Sequence, residues 1–204
     1  MDDIQNGIGY EIWTDNSTYF GNYKNGKKEG IGTYIWNDGT KYEGEWKENH
    51  MEGFGIYHFK NGRICKGQWK DDKINGYGEF TWVEGKKYYG FYIKDKKDGF
   101  GIYYWPGEKF FIGFWKEGKQ HGYGIMTGNK GNKYGYWIDG KLQSKINDDE
   151  TIKFIIKAIN DVKNQKEYSE FQLNIQKYEK QITDGSSSQD TNSNSKEAKN
   201  NHNY

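Results

Sequence analysis

A 23-residue period runs through this chain, and no other feature limits the possible folds so strongly. Five consecutive segments align without insertion or deletion: YFGNYKNGKKEGIGTYIWNDGTK (19–41), YEGEWKENHMEGFGIYHFKNGRI (42–64), CKGQWKDDKINGYGEFTWVEGKK (65–87), YYGFYIKDKKDGFGIYYWPGEKF (88–110) and FIGFWKEGKQHGYGIMTGNKGNK (111–133). The phase extends backwards, since Gly7, Gly9 and Trp13 stand 23 residues before Gly30, Gly32 and Trp36. Forwards, YGYWIDGK begins a further unit with one residue missing. The array covers residues 1–141, with five full repeats over 19–133 and partial repeats at 4–18 and 134–141. A period of this length marks stacked supersecondary units, each dependent on its neighbours to bury an apolar face.

Each unit reads as two strands. Tyr42, Gly44 and Trp46 alternate, which places them on one face of the first. In the second, Gly53, Gly55, Tyr57 and Phe59 share a face. The turn between the strands carries Gly26, Asn49, Asp72, Asp95 and Gly118 in successive copies, the residue types that tolerate a left-handed backbone. A second turn, Asn37-Asp38-Gly39 or Asn61-Gly62, has hairpin chemistry. The pattern predicts an antiparallel meander of about 12 strands, roughly 55 Å long at the usual strand spacing, and strongly twisted. Glycines on the ring-bearing face leave bare backbone, and a ring such as Trp46 or Tyr57 is expected to lie over a neighbouring glycine.

Composition fits a core built from rings. Only 33% of the chain is hydrophobic, but 18% is aromatic, and each aromatic side chain buries about 150–250 Å². The net charge of +1 gives no electrostatic reason to expect nucleic acid. A single cysteine, Cys65, excludes an intramolecular disulfide and fits a reducing compartment. The acidic N-terminus is not read as a signal peptide, and Asn16-Ser17-Thr18 is read as a chance sequon. No apolar run approaches the roughly 20 residues of a membrane span.

The spacing Tyr-x-Gly-x-Trp-x-x-Gly/Asn/Asp-x-x-x-Gly-aromatic-Gly resembles the MORN (membrane occupation and recognition nexus) repeat. It is carried by Tyr42, Gly44, Trp46, Gly53 and Gly55 and by their equivalents in each full copy. The departures are Cys65 for the opening tyrosine, Tyr23 and Tyr92 for tryptophan, and Gly128 where Trp36, Phe59, Trp82 and Trp105 stand. The last suggests that the array loosens near its end. The fold expected is mostly β: a single-layer twisted antiparallel β-meander of 23-residue hairpins, with a C-terminal α-helical cap or extension.

Beyond the array, glycine disappears until Gly185. Asn147-Asp148-Asp149-Glu150 resembles a helix start with a capping-box carboxylate. Ile152, Ile155, Ile159 and Val162 then lie on one helical face. After a polar stretch, Tyr168, Phe171, Ile175, Tyr178 and Ile182 resume at alternating three and four spacing, in a different register. Residues 142–182 are read as helices. The first caps the end of the sheet, and 168–182 either continues that role or forms a seam for another chain. Residues 183–204 form a polar low-complexity tail, expected to be disordered.

Chemistry is sparse. The histidines, His50, His58, His121 and His202, form no metal-ligand spacing with Cys65. His50 and His121 read as solvated turn residues, and Cys65 as a packing variant with no base beside it. Glycine pairs such as Gly30 and Gly32 lie inside strands and lead into no helix, so they are not phosphate loops. No enzyme, cofactor or metal is expected. The resemblance implies a non-enzymatic, cytoplasmic scaffold or adaptor that binds protein partners in a cytoskeletal, ciliary or cortical assembly. The candidate face is aromatic: Tyr34, Trp36, Tyr57, Phe59, Phe80, Trp82, Tyr103 and Trp105. The alternative is a peripheral membrane or phosphoinositide-binding module taking anionic lipid. Against it, residues 1–141 hold 21 basic and 19 acidic residues, interleaved with no polybasic patch. The strand from Gly7 has an open edge, which makes a homodimer the third expectation, unless more chain precedes it.

Overall fold

The computed structural model describes residues 4–129 and 131–163. Its strands are β1 (Gly7–Ile12), β2 (Thr18–Lys24), β3 (Lys27–Ile35), β4 (Lys41–Lys47), β5 (His50–His58), β6 (Ile64–Lys70), β7 (Lys73–Thr81), β8 (Lys87–Ile93), β9 (Lys96–Tyr104), β10 (Phe110–Lys116), β11 (Lys119–Met126), β12 (Lys133–Ile138) and β13 (Lys141–Lys145). Each pairs antiparallel with the next, so spatial order is chain order throughout one 13-stranded sheet. This is one strand more than expected, because the incomplete last unit completes its hairpin up to Lys145.

The tight turns explain the choice of residues there. Glu48 and Asn49 both have positive φ, +49° and +75°, as a two-residue I′ hairpin turn requires. The expected left-handed positions Gly26, Asn49, Asp72, Asp95 and Gly118 are all observed. The residue before each is left-handed as well. Asn and Asp also join neighbouring hairpins. Oδ1 of Asn49 accepts from the Lys28 amide at 2.8 Å, and Oδ1 of Asp72 from the Met51 amide at 2.8 Å. From the other side, Glu29 accepts from the Glu48 amide and Glu52 from the Asp71 amide. The turns therefore carry a ladder of bonds from repeat to repeat.

The core lies on one face of the sheet. Tyr42 is fully buried, and a Cβ on Gly44 or Gly55 would come within 2.4 or 2.3 Å of its hydroxyl oxygen. The ring nearest Gly44 and Gly55 is thus that of the opening tyrosine, while rings at the repeat position of Trp46 lie against a glycine of the preceding hairpin, Tyr23 on Gly9 and Tyr92 on Gly78. Gly44 and Gly55 are register partners, so two bare backbones make one floor for one ring. Tyr19, Tyr88 and Phe111 repeat the arrangement. Trp46 instead reaches back to the preceding hairpin, where its Nε1 donates to the Gly32 carbonyl at 3.0 Å. Trp69 and Trp115 do the same to Gly55 and Gly101. In the repeats opened by Tyr19, Tyr42, Tyr88 and Phe111 one ring seals the hairpin, and Trp46, Trp69 and Trp115 each tie a hairpin to its neighbour. Full burial of such a ring contributes about 2–3 kcal/mol.

Residues of the opposite parity face the other way. Phe100, Ile102 and Ile112 there pack against Ile155 and Ile159 of a helix, α1 (Asp149–Lys163). The helix therefore covers a face of the sheet near its C-terminal end and leaves β13 as the outermost strand, where an end cap was expected. Its N-cap is Asp148, whose Oδ1 accepts from the Thr151 amide at 2.8 Å. The expected start at Asn147 is one residue early, and Glu150 falls short of the capping-box position. Ile152 is half-buried. The side chain of Val162, the segment 168–182 and the tail 183–204 lie outside the described residues.

Candidate partner-binding face

The eight aromatic residues expected to form a binding face come together in one unbroken row. Ring centroids are 4.6 Å apart for Tyr34–Trp36, 5.4 Å for Trp36–Tyr57, 4.7 Å for Tyr57–Phe59 and 5.6 Å for Phe59–Phe80. The row continues at 4.3 Å for Phe80–Trp82, 5.6 Å for Trp82–Tyr103 and 4.5 Å for Tyr103–Trp105. Trp13, 5.3 Å from Tyr34, is a further rung at the N-terminal end. It was missing from the expected set, although its 23-residue offset from Trp36 signalled it. Each rung is half-buried and packs on the sealed core below. The register explains the row: Tyr34, Tyr57, Phe80 and Tyr103 stand one residue before the end of the second strand in the first four repeats. Trp36, Phe59, Trp82 and Trp105 open the turn that follows.

Lys97 and Lys28 each lie over four rings of this row and the core beneath it, a feature that alternation alone did not reveal. Nζ of Lys97 lies 4.8–5.4 Å from the ring centroids of Trp82, Tyr88, Tyr103 and Trp115. Burial pulls its ammonium down to about 8, while the ring faces favour its charged form. Lys28 repeats the cage over Trp13, Tyr19, Tyr34 and Trp46, and burial lowers it as well. At the same repeat position the second and third units carry Met51 and Ile74, both buried in the core. The signal was available in the sequence, as lysine and aliphatic residues exchanging at one position.

The row stops at Trp105. Gly128 stands where the next rung belongs, and a Cβ added there would meet nothing within 4 Å. A hollow of about 540 Å³ opens instead, lined in part by Met126, Gly128, Trp137 and Leu142. This is the loosening expected near the end of the array. The candidate seam of Tyr168, Phe171, Ile175, Tyr178 and Ile182 lies outside the described residues.

Five successive segments match the MORN repeat: 19–41, 42–62, 65–87, 88–107 and 111–133. The chain belongs to the MORN repeat family. This is a repeat family and not a catalytic one. No curated protein matches the sequence. Among solved structures, the chain is similar to the TCP domain of Drosophila melanogaster SAS-4 (dCPAP), solved in complex with a proline-rich motif of Ana2 (dSTIL). That match has 13% identity, a TM-score of 0.28, and covers 69% of this chain and 90% of that one. It is also similar to the TCP10 domain of Danio rerio CPAP, at 10% identity and a TM-score of 0.26, covering 70% and 90%. Neither likeness bears on what this MORN chain binds.

The titratable groups of the MORN array are structural in their surroundings. Cys65 is buried, and burial pushes its thiol well above the usual range, away from nucleophilic reactivity. Nδ1 of His50 lies 2.6 Å from Oδ2 of Asp72 across adjacent exposed turns. Glu43 is held below its usual range despite burial by His58 at 3.1 Å and Lys41 at 2.9 Å. Among the described residues no group of three metal-ligating side chains occurs, and no helix is long and apolar enough to cross a membrane.

Proposed function

We propose that the aromatic row is the docking surface for a protein partner, and that the chain acts as a MORN scaffold or adaptor in a cytoskeletal, ciliary or cortical assembly. The observation that carries this is the continuity of nine half-exposed rings above a core that is already closed. The buried rings Tyr19, Tyr42, Tyr88 and Phe111 seal the fold beneath them. The rungs above present area to solvent in the residue types that anchor interfaces. Their spacing repeats along the sheet and suits an elongated partner such as a helix or extended peptide.

The test is proximity labelling in the native cell with the full chain and with a Phe59→Ser/Trp82→Ser variant that retains its β-sheet circular dichroism. Partners lost by the variant support the row as the surface. An unchanged list of partners overturns it. Flotation with vesicles containing phosphatidylinositol phosphates, at low and high salt, separates the lipid alternative, which predicts binding that collapses with salt.

A second copy is a further partner favoured by a specific observation. On the face opposite the rings, Ile8, Tyr10 and Ile12 of the edge strand β1 are 61–74% exposed. Phe20, Ile31 and Ile35 beside them are 40–50% exposed. An open edge bordered by apolar surface invites pairing. Light scattering across concentration tests this: Ile8→Lys/Tyr10→Lys should abolish association of the full chain, and a wild-type chain that stays monomeric overturns it.

A further inference from the structure

The two margins of the sheet are unlike. At one, β13 is five residues long, exposed throughout and bounded by Lys141 and Lys145. Its register with β12 shifts between Tyr136 and Trp137. Shortness, lysines and a bulge are the devices that keep an edge from pairing. At the other margin, β1 has no lysine, and its register with β2 is unbroken from Gly7 to Ile12. Among the described residues no strand lies on its outer side.

The ladder decides which backbone groups β1 offers at that margin. The Trp13 amide donates to the Ser17 carbonyl at 2.9 Å, and bonded and non-bonded pairs alternate along an antiparallel ladder. Glu11, Gly9 and Gly7 therefore turn their N–H and C=O toward β2, opposite Tyr19, Gly21 and Tyr23. Gln5, of the same parity, also turns inward and accepts from the Gly26 amide. Ile8, Tyr10 and Ile12 turn theirs outward. The same three residues carry the exposed apolar side chains, at 74%, 63% and 61%. One row of residues thus offers both unpaired backbone groups and apolar surface.

We infer that two copies of the chain join β1 to β1 antiparallel, about a twofold axis at Tyr10, and form a closed dimer with one continuous sheet. The inference rests on the second-copy reading and gives it a geometry. With Tyr10 opposite Tyr10, Ile8 stands opposite Ile12, and every outward residue of the strand is bonded. Glu11, the only charge on the strand, falls opposite Gly9. A shift one way sets Glu11 against Glu11, and like charges directly opposite are destabilising. A shift the other way sets Ile12 against Asn6, outside the strand. Because both copies use the same strand, the contact closes at two. A contact between β1 and β13 would propagate into a filament and bring Lys141 and Lys145 to an apolar row. On the continuous sheet both aromatic rows lie on one face, related by half a turn, so the dimer offers that face twice.

Sedimentation of the full chain over a range of concentrations, with amide exchange measured on the same samples, tests the pairing. The expected result is an equilibrium between monomer and dimer. In the dimer the amides of Ile8, Tyr10 and Ile12 should exchange at least tenfold more slowly. Those of Gly7, Gly9 and Glu11, already held by β2, should change little. Register is read with single Ile8→Cys and Ile12→Cys variants and a short bis-methanethiosulfonate. Mixed, they should give a covalent dimer in at least tenfold the yield of either alone, because like positions stand roughly 14 Å apart along the strands. Cys65 is buried and does not compete. A wild-type chain that stays monomeric overturns this inference and the second-copy reading together. Three results overturn the twofold pairing alone: a dimer without slowed exchange at Ile8, Tyr10 and Ile12, an open series of larger species, or a mixture that cross-links no better than the single variants.

Discussion

Ile74 and Cys65 share the space that one tyrosine ring fills elsewhere in the sheet. Cδ1 of Ile74 would come within 2.4 Å of a Cβ on Gly78, and the corresponding glycine of the previous repeat, Gly55, is covered by the Tyr42 ring. Cys65 itself is 2% exposed. The short side chain at the opening position is thus compensated by a branched one at the position of Lys28, Met51 and Lys97. Restoring the ring alone overfills the site, so Cys65→Tyr should cost about 1–3 kcal/mol. Cys65→Tyr with Ile74→Met recreates the pairing of Tyr42 and Met51 and should recover most of that loss. Urea unfolding of the four members of this cycle should give a coupling of about 1–3 kcal/mol. Additive effects would sink the account.

The Lys97 cage makes stability depend on pH in a definite direction. Folding lowers the Lys97 ammonium from 10.5 to about 8. Below pH 8 both the folded and the unfolded chain hold the proton, and the cost of burying the charge is present in full. Between 8 and 10.5 the folded chain gives up the proton first, so stability from this group rises with pH. Lys97→Met removes the titration while keeping an occupant that the second repeat already uses at Met51. The stability gap between the variant and the wild type should shift by on the order of 2 kcal/mol toward the wild type from pH 7 to pH 10. The difference is the quantity to measure, because burial raises Tyr19 and Tyr88, which lowers stability at high pH in both proteins. A gap independent of pH would show that the ammonium is not buried.

Glu108 occupies a position where other repeats have glycine. Gly39, Gly62, Gly85 and Gly131 have φ between +78° and +90° in their turns, and Glu108 adopts +64° there. A non-glycine residue in this region costs roughly 1 kcal/mol. Glu108→Gly should therefore raise stability by about that amount, read as a higher urea midpoint with unchanged slope. The matched MORN segment of this repeat ends at Gly107, just before the departure. A lower midpoint would mean that the Glu108 side chain holds the turn by contacts that outweigh its strain.

Much of this architecture was legible because the repeat averages out local ambiguity. Alternation of Tyr42, Gly44 and Trp46 predicted their common face, and residue types at Asn49, Asp72 and Asp95 predicted the left-handed turns. What alternation cannot show is where a side chain leans along its face. That is why rings such as Trp46 and Tyr57 were expected over a neighbouring glycine, while the ring nearest Gly44 and Gly55 is that of Tyr42. It also cannot show bonds between repeats. Glu29, Glu52, Asn75 and Asp98 look like ordinary polar surface in the sequence, and only the pairing of adjacent hairpins brings them to the turn amides of Glu48, Asp71, Lys94 and Glu117. The aromatic row was legible as a set of residues; its continuity depends on turn geometry. Lys28 and Lys97 were passed over because lysine on a β-sheet normally signals solvent, and here the methylene stem fills the space that Met51 fills.

The end of the aromatic row offers the most direct test of how the array is terminated. Gly128 has an ordinary backbone φ, an open environment and an unfilled hollow beside Met126 and Trp137. A tryptophan at this position would continue the spacing of Trp82 and Trp105 by one repeat. Gly128→Trp should fill part of the hollow, add a tenth rung and stabilise the fold by about 1–2 kcal/mol through burial of roughly half the indole. The gain should appear as a higher urea midpoint, together with a new indole signal of restricted mobility in fluorescence anisotropy. A freely rotating indole and an unchanged midpoint would mean that the row is closed at Trp105 and that the hollow does not continue it. If the added rung stabilises the chain, the hollow is a vacant place in the ladder, and a ring from a docked partner would meet the same surface.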